Sequence, residues 1–216
     1  MIGNWKSVFI LCEGQTEETF CNALLKRHFV QFNIDIKPHL LETSSGHKGG
    51  FPVYSKLKRQ INKHKMSDDF YLTTFFDYYG LPNDFPGKNK LSEFTESPAK
   101  CHFLEQELER DINRKNFIPN IVLHEFETLL FSDLDSPSDY FSEEELQNLK
   151  TDTQGFSNPE VINDSPLTAP SKRILKIKED YDKVFDGNCR ALEIGLQKIR
   201  AKCPHFNSWI EKLENL

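Results

Sequence analysis

Ser7-Val8-Phe9-Ile10-Leu11-Cys12-Glu13-Gly14-Gln15-Thr16-Glu17 is the stretch on which the fold turns. From Val8 to Cys12 it is wholly apolar, the pattern of a strand buried on both faces, as strands of parallel sheets are. Glu13 and Gly14 end that strand. Thr16 is then expected to cap a helix, because Phe20, Ala23, Leu24 and Arg27 follow at helical spacing. A buried strand that turns straight into a helix is the first half of a βαβ unit.

The same alternation continues outward from this stretch. A second strand is predicted over residues 34–41, followed by the loop Thr43-Ser44-Ser45-Gly46-His47-Lys48-Gly49-Gly50 and a basic helix over 53–64 with Leu57 and Ile61 inward. A third strand covers 70–76 and ends at Asp77. After a loop rich in Gly, Pro and Asn over 80–90, a helix over 99–113 carries Phe103, Leu104, Leu108 and Ile112 on one side. A fourth strand over 118–123 gives way to a helical turn through Phe126, Leu129 and Leu130, which read as packing residues. The order β-α-β-α-β-α-β predicts an α/β fold: a mainly parallel four-stranded sheet flanked by helices. Beyond about Asp133 only short helices are expected, at 142–149, 171–180, 189–201 and 206–216. Residues 1–133 therefore read as the sheet domain and 134–216 as an α-helical C-terminal extension packed on it.

Composition narrows the function classes. With 216 residues, 38% of them hydrophobic and 18 of them Phe, a sizeable core is within reach and global disorder is not expected. A mean hydropathy of -0.57, and the lack of any stretch near the roughly 20 apolar residues of a spanning helix, exclude an integral helical membrane protein. Met1 leads directly into Trp5 and the first strand, so no signal peptide is expected. The five cysteines form no close pair, which suits reduced, buried thiols and a cytoplasmic location. The net charge of -6 offers nucleic acid no global attraction. Its distribution is uneven: residues 1–100 hold 13 Lys and Arg against 11 Asp and Glu, which leaves 14 bases and 22 acids for residues 101–216.

In an open parallel sheet, functional groups gather past the carboxyl ends of the strands. Acids stand at those places here: Glu13 after the first strand, Asp77 after the third, Glu125 and Glu127 after the fourth, with Glu17 one helical turn beyond Glu13. Converging carboxylates suit a hard divalent cation such as Mg²⁺ or Mn²⁺. Glu17, Glu18, Glu125 and Glu127 equally suit helix N-termini, where they complement the dipole. Glu13 and Asp77 follow apolar strands and have no such alternative. His124-Glu125 lacks the second histidine of the zinc motif His-Glu-x-x-His, since that position is Thr128, so His124 reads first as a hydrogen-bonded structural residue and second as a ligand or proton shuttle.

Cys12-Glu13-Gly14-Gln15-Thr16-Glu17, His47-Lys48-Gly49-Gly50, Phe76-Asp77-Tyr78-Tyr79-Gly80-Leu81-Pro82, Leu123-His124-Glu125-Phe126-Glu127 and Thr168-Ala169-Pro170-Ser171-Lys172-Arg173 together span nearly the whole chain. In these stretches the sequence resembles the Toprim domains of topoisomerases, bacterial primases and overcoming-lysogenization-defect nucleases. It resembles more closely an RloB-like prokaryotic family often encoded beside an ATPase. The resemblance implies that Glu13 is the general acid/base or a metal ligand and that Glu17 and Asp77 are metal ligands; Asp84, Glu125 or Glu127 is left to supply a further ligand. It departs at Tyr79, which stands where the second aspartate of the Asp-x-Asp motif belongs. A site for two cations about 3.5–4 Å apart is therefore in question.

Substrate contacts are expected from two kinds of feature. His47 and Lys48, in a glycine-rich turn at the end of the second strand, suit a phosphate. Lys56, Lys58, Arg59, Lys63, His64 and Lys65 form a run with no acid, either a solvated helix face or a track for a nucleic-acid backbone; Lys172 and Arg173 form a weaker anion site at a helix start. The expected function is a Mg²⁺-dependent nuclease acting on DNA or RNA, with an ATPase partner and a role in anti-phage defence implied by the resemblance. The alternative is a catalytically silent Toprim-like module that binds an ATPase partner or nucleic acid.

Overall fold

The apolar run forms the centre of a parallel sheet. The computed structural model describes residues 5–44, 47–48, 51, 53–64, 69–162 and 165–216, the side chains of 43, 44, 47 and 48 excepted. Its strands are β1 (Lys6–Cys12), β2 (Ile34–Leu40), β3 (Glu42–Ser44), β4 (His47–Lys48), β5 (Phe70–Asp77), β6 (Phe117–Ile118) and β7 (Ile121–Val122). The helices before the last strand are α1 (Gln15–Phe20), α2 (Lys26–Phe29), α3 (Tyr54–Lys63) and α4 (Ser97–Ile112). Those after it are α5 (Glu143–Thr153), α6 (Pro170–Ile177), α7 (Phe185–Ile194), α8 (Leu196–Lys202) and α9 (Pro204–Glu214).

β1 pairs in parallel with β2 on one side, Val8 opposite Ile36, and with β5 on the other, Leu11 opposite Thr74. β6 and β7 both pair in parallel with β5, as two halves of one broken edge strand. The predicted strand over 118–123 is thus interrupted at Pro119-Asn120. Proline has no N–H for the ladder, and the Thr74 hydroxyl fills in: it accepts from the Asn120 N–H and donates to the Asn120 carbonyl, both at 2.8 Å.

Alternation along β1 sends side chains to two cores. Val8, Ile10 and Cys12, with Phe75, meet Phe20, Leu25 and Phe29 of the first helical segment, where α1 and α2 are joined by a π-helical turn (Cys21–Leu25). Phe206, Trp209, Ile210 and Leu213 of α9 join that same core, and the Trp209 indole N–H donates to Thr73 Oγ1 at 2.8 Å. On the opposite face Leu11, Leu72 and Phe76 pack on Leu57 and Ile61 of α3 and on Leu104 and Leu108 of α4. The C-terminal helices therefore complete one cover of the sheet.

Three local expectations differ from the structure. The cap of α1 is Gly14, whose N–H is met by the Glu17 carboxylate at 2.8 Å; Thr16 lies inside the helix and is only 4% exposed. Where a loop is expected, β3 and β4 pair as an antiparallel ribbon, with Glu42 opposite Lys48 and Ser44 opposite His47; Ser45, Gly46, Gly49 and Gly50 lie outside the described residues. The single helix predicted over 189–201 is split into α7 and α8 by Gly195 at φ +78°, a backbone conformation that side chains disfavour. Of the five free cysteines four are buried and Cys189 is half-buried. Among the described residues, no helix is long and apolar enough to cross a membrane.

Candidate carboxylate–lysine site

The strand order reverses between β1 and β5, since β2 follows β1 on one side and β5 lies on the other. In open α/β sheets ligands bind past the carboxyl ends of the strands at such a reversal. Glu13 and Asp77 occupy those two ends. The Glu13 carboxylate, through Oε2, accepts the Asp77 N–H at 3.3 Å. It also packs on Gly80 so closely that a Cβ there would stand 2.6 Å from either carboxylate oxygen.

Glu127 arrives from the 3₁₀ turn (Phe126–Ser132) that follows β7 and is fully buried. The chain enters that turn through His124, whose φ of +65° is strained for a residue with a side chain. Tyr79 holds the kink on both sides: its N–H donates to the His124 carbonyl at 3.0 Å, and its hydroxyl lies 3.1 Å from His124 Nδ1. His124 Nε2 lies 3.0 Å from the Glu160 carbonyl, which only accepts, so that nitrogen carries a proton. His124 is thus hydrogen-bonded through both ring nitrogens, and Tyr79 is tied to it.

A cation from the C-terminal segment completes the group. Lys183, in the connection between α6 and α7, places its Nζ 3.3 Å from Asp77 Oδ2 and 3.2 Å from Glu127 Oε2. The Tyr181 hydroxyl donates to Glu127 Oε1 at 3.4 Å. The acids outnumber this single ammonium. Burial, then the neighbouring Asp77 and Glu17, push the Glu13 carboxyl up to about 8. Burial, then Asp77, push Glu17 up to about 7. Burial pushes Glu127 up to about 8 against the opposing pull of Lys183, with Glu125 and Asp77 adding to the rise. Glu125 is also raised by burial, while its carboxylate accepts the Ser171 N–H at the start of α6. Burial disfavours the Lys183 ammonium, but Asp77 and Glu127, followed by Glu17 and Glu125, outweigh it and hold the proton on.

The other predicted residues are placed differently. Lys58 pairs with Asp111 at 2.9 Å, beside a hydrogen bond from the Tyr54 hydroxyl to the same carboxylate, and Arg59 is exposed. Arg173 pairs with Asp152 and donates to the Thr168 and Ile162 carbonyls, and Lys172 is exposed, one residue from the N–H that Glu125 takes. His47 and Lys48 are placed by their backbone in β4; their side chains, and the whole of Lys65, lie outside the described residues. Lys183 and Tyr181 were missed. They lie in a polar stretch with no periodicity or strand end to single them out, Lys183 being 106 residues downstream of Asp77.

Donor chemistry decides whether a divalent cation suits these residues. The oxygens are hard, the acids exceed the positive charge, and Asp77 Oδ1 is buried with no hydrogen-bond partner among the described residues. These features fit Mg²⁺ or Mn²⁺ in ligand type and charge. Among the described residues, however, no three His, Cys, Asp or Glu side chains are grouped so that they could hold a metal ion.

Fold and site together define an α/β protein with a buried carboxylate–lysine cluster at the switch point of a parallel sheet. Residues 12–214 match the family described as a domain of unknown function, DUF4276, and the chain belongs to that family. No curated protein and no solved structure matches it.

Proposed function

We propose that this protein is a divalent-cation-dependent phosphodiesterase acting on DNA or RNA. One observation carries the reading: at the switch point the Lys183 ammonium contacts both Asp77 and Glu127, with Glu13 and Glu17 close enough to Asp77 to be raised by it, and among the described residues a buried Asp77 oxygen has no hydrogen-bond partner. Such an excess of buried acid costs stability unless a counter-charge or protonation offsets it, and groups perturbed in this way concentrate at functional sites. The resemblance of the Glu13, Glu17 and Asp77 stretches to Toprim motifs supports the same reading.

A bound Mg²⁺ or Mn²⁺ would supply charge neutralisation at a phosphoryl oxygen and at the attacking water. Asp77 and Glu17 are the residues that would hold it, with Glu127 behind Asp77. Glu13, with its proton affinity raised toward neutrality, suits proton transfer from the attacking water. Gly80 sets where the Glu13 carboxylate lies.

Metal-dependent cleavage of single- and double-stranded DNA and RNA tests this, with the chain alone and with a genomically adjacent ATPase. Glu13→Gln and Asp77→Asn are expected to abolish cleavage while leaving the far-ultraviolet circular dichroism unchanged; cleavage that survives both changes refutes the site. A second reading, a silent module that binds an ATPase partner or nucleic acid, draws on the ungrouped carboxylates and on Tyr79 being committed to His124. Binding to either partner without cleavage under any metal condition decides for it.

A further inference from the structure

Lys183 stands where a dication would do most to neutralise the cluster. Its ammonium contacts one oxygen each of Asp77 and Glu127, which are 6% and 0% exposed. Buried carboxylates at this depth need a counter-charge to remain ionised. Within the described residues Lys183 is the cation that contacts them. A dication bound by Asp77 would be held against an ammonium only about 3 Å from the same carboxylate, and like charges so close in a buried setting repel strongly.

The two sides of this contact differ in freedom. Asp77 belongs to a central strand and Glu127 to a fully buried turn. The backbone around Lys183 is also anchored: the Asp182 carboxylate accepts the Phe185 N–H at 2.8 Å, and the Asp182 N–H donates to Asp186 at 3.0 Å. One turn further, Asn188 donates to the Thr16 carbonyl at 3.2 Å, which ties α7 to α1. The Lys183 side chain itself is 38% exposed and ends a flexible four-carbon stem. It is the one member of the contact able to leave without disturbing the backbone.

We infer that Lys183 is a resident counter-cation, which holds the carboxylates in the metal-free protein and is displaced from Asp77 when a divalent cation binds. The exchange keeps a counter-charge on Asp77 in both states. It also makes cation binding a competition inside the protein, and it exposes a free ammonium at the site only when the cation is present. The inference rests on the divalent-cation reading above, and its test separates the two.

Mn²⁺ binding is measured by electron paramagnetic resonance on the full-length wild type, Lys183→Met and Lys183→Arg, each checked by circular dichroism. Lys183→Met is expected to bind Mn²⁺ about tenfold tighter or more, and Lys183→Arg, which keeps the competing charge, no tighter than wild type. Equal or weaker binding by folded Lys183→Met overturns the inference and leaves the cation reading standing. Absence of Mn²⁺ binding in wild type and variants removes both. Should Lys183→Met not fold, reductive methylation of wild-type Lys183, read by mass spectrometry, decides: its rate rises severalfold with Mn²⁺ if the ammonium is released. An unchanged rate at saturating Mn²⁺ overturns the exchange.

Discussion

Raising the pH of the metal-free protein should unfold it progressively, and the carboxylate cluster sets by how much. Glu127 is fully buried, and its carboxyl is pushed from 4.5 to about 8. A tenfold change in proton affinity corresponds to about 1.36 kcal/mol, so ionising this one group costs the folded chain roughly 4–5 kcal/mol. Glu13 and Glu17 are raised in the same direction, to about 8 and about 7. The three share neighbours, so their costs do not simply add; the total loss is expected between the roughly 5 kcal/mol of the largest and the roughly 13 kcal/mol of a plain sum. Because the folded pKa values lie above the unfolded ones, the folded state binds more protons through this window. Stability is therefore full below about 4.5 and falls as pH climbs toward 8.

Urea unfolding in EDTA between pH 4.5 and 8.5, followed by tryptophan fluorescence and circular dichroism, gives the slope. His205 is also raised, through Glu105 overcoming burial, and contributes a loss of the same sign as pH rises. Glu127→Gln isolates the cluster, since it removes one titrating acid and leaves His205 untouched. The variant should lose a third or more of the wild-type pH dependence, and Mg²⁺ or Mn²⁺ at pH 8 should restore stability to wild type. Stability that stays level or rises from pH 5 to 8 in EDTA would refute the argument, as would equal slopes for wild type and variant.

Gly80→Ala places a Cβ 2.6 Å from the Glu13 carboxylate and must displace it; any metal-dependent cleavage should fall at least tenfold, with the melting temperature shifted by only a few degrees. Trp209→Phe removes the donor to Thr73 Oγ1, a fully buried hydroxyl, and should cost about 1–3 kcal/mol in urea unfolding at every pH. Gly195→Ala meets open space but keeps a φ of +78° with ψ of 150°, so roughly 1–3 kcal/mol of destabilisation is expected from backbone strain alone.

Much of the architecture was legible because the strands announce themselves. Val8 to Cys12 and Leu72 to Phe76 are continuous runs without charge, and such runs suit strands covered on both faces. Misreadings occurred where a single residue overrode its window. Pro119 broke the edge strand, Gly195 broke a helix, and the Glu17 carboxylate reached the Gly14 N–H in place of the expected Thr16 hydroxyl. The acidic half of the site was legible for a positional reason: Glu13, Asp77 and Glu127 follow strands, and strand ends in a parallel sheet converge whatever the loops do.

Its cationic half had no such rule behind it. Charge compensation depends on which side chains meet, and Lys183 meets Asp77 only because α7 lies against α1, joined through Asn188 and the Thr16 carbonyl. The basic run illustrates the converse. Lys58 sits in a segment without acids, yet it is neutralised by Asp111 of α4, which lies beside α3 in the second core. Local charge along the chain thus did not show that Lys58 has an acidic neighbour. The excess of acid after residue 100 is in part the surroundings of Lys183, since Glu125 and Glu127 belong to it, and a lysine drawn from that acidic segment is held protonated by those same acids. A cation so held is a poor free contact for a nucleic-acid backbone. On the exchange proposed above it yields to a dication, whose two charges offset two carboxylates where an ammonium offsets one.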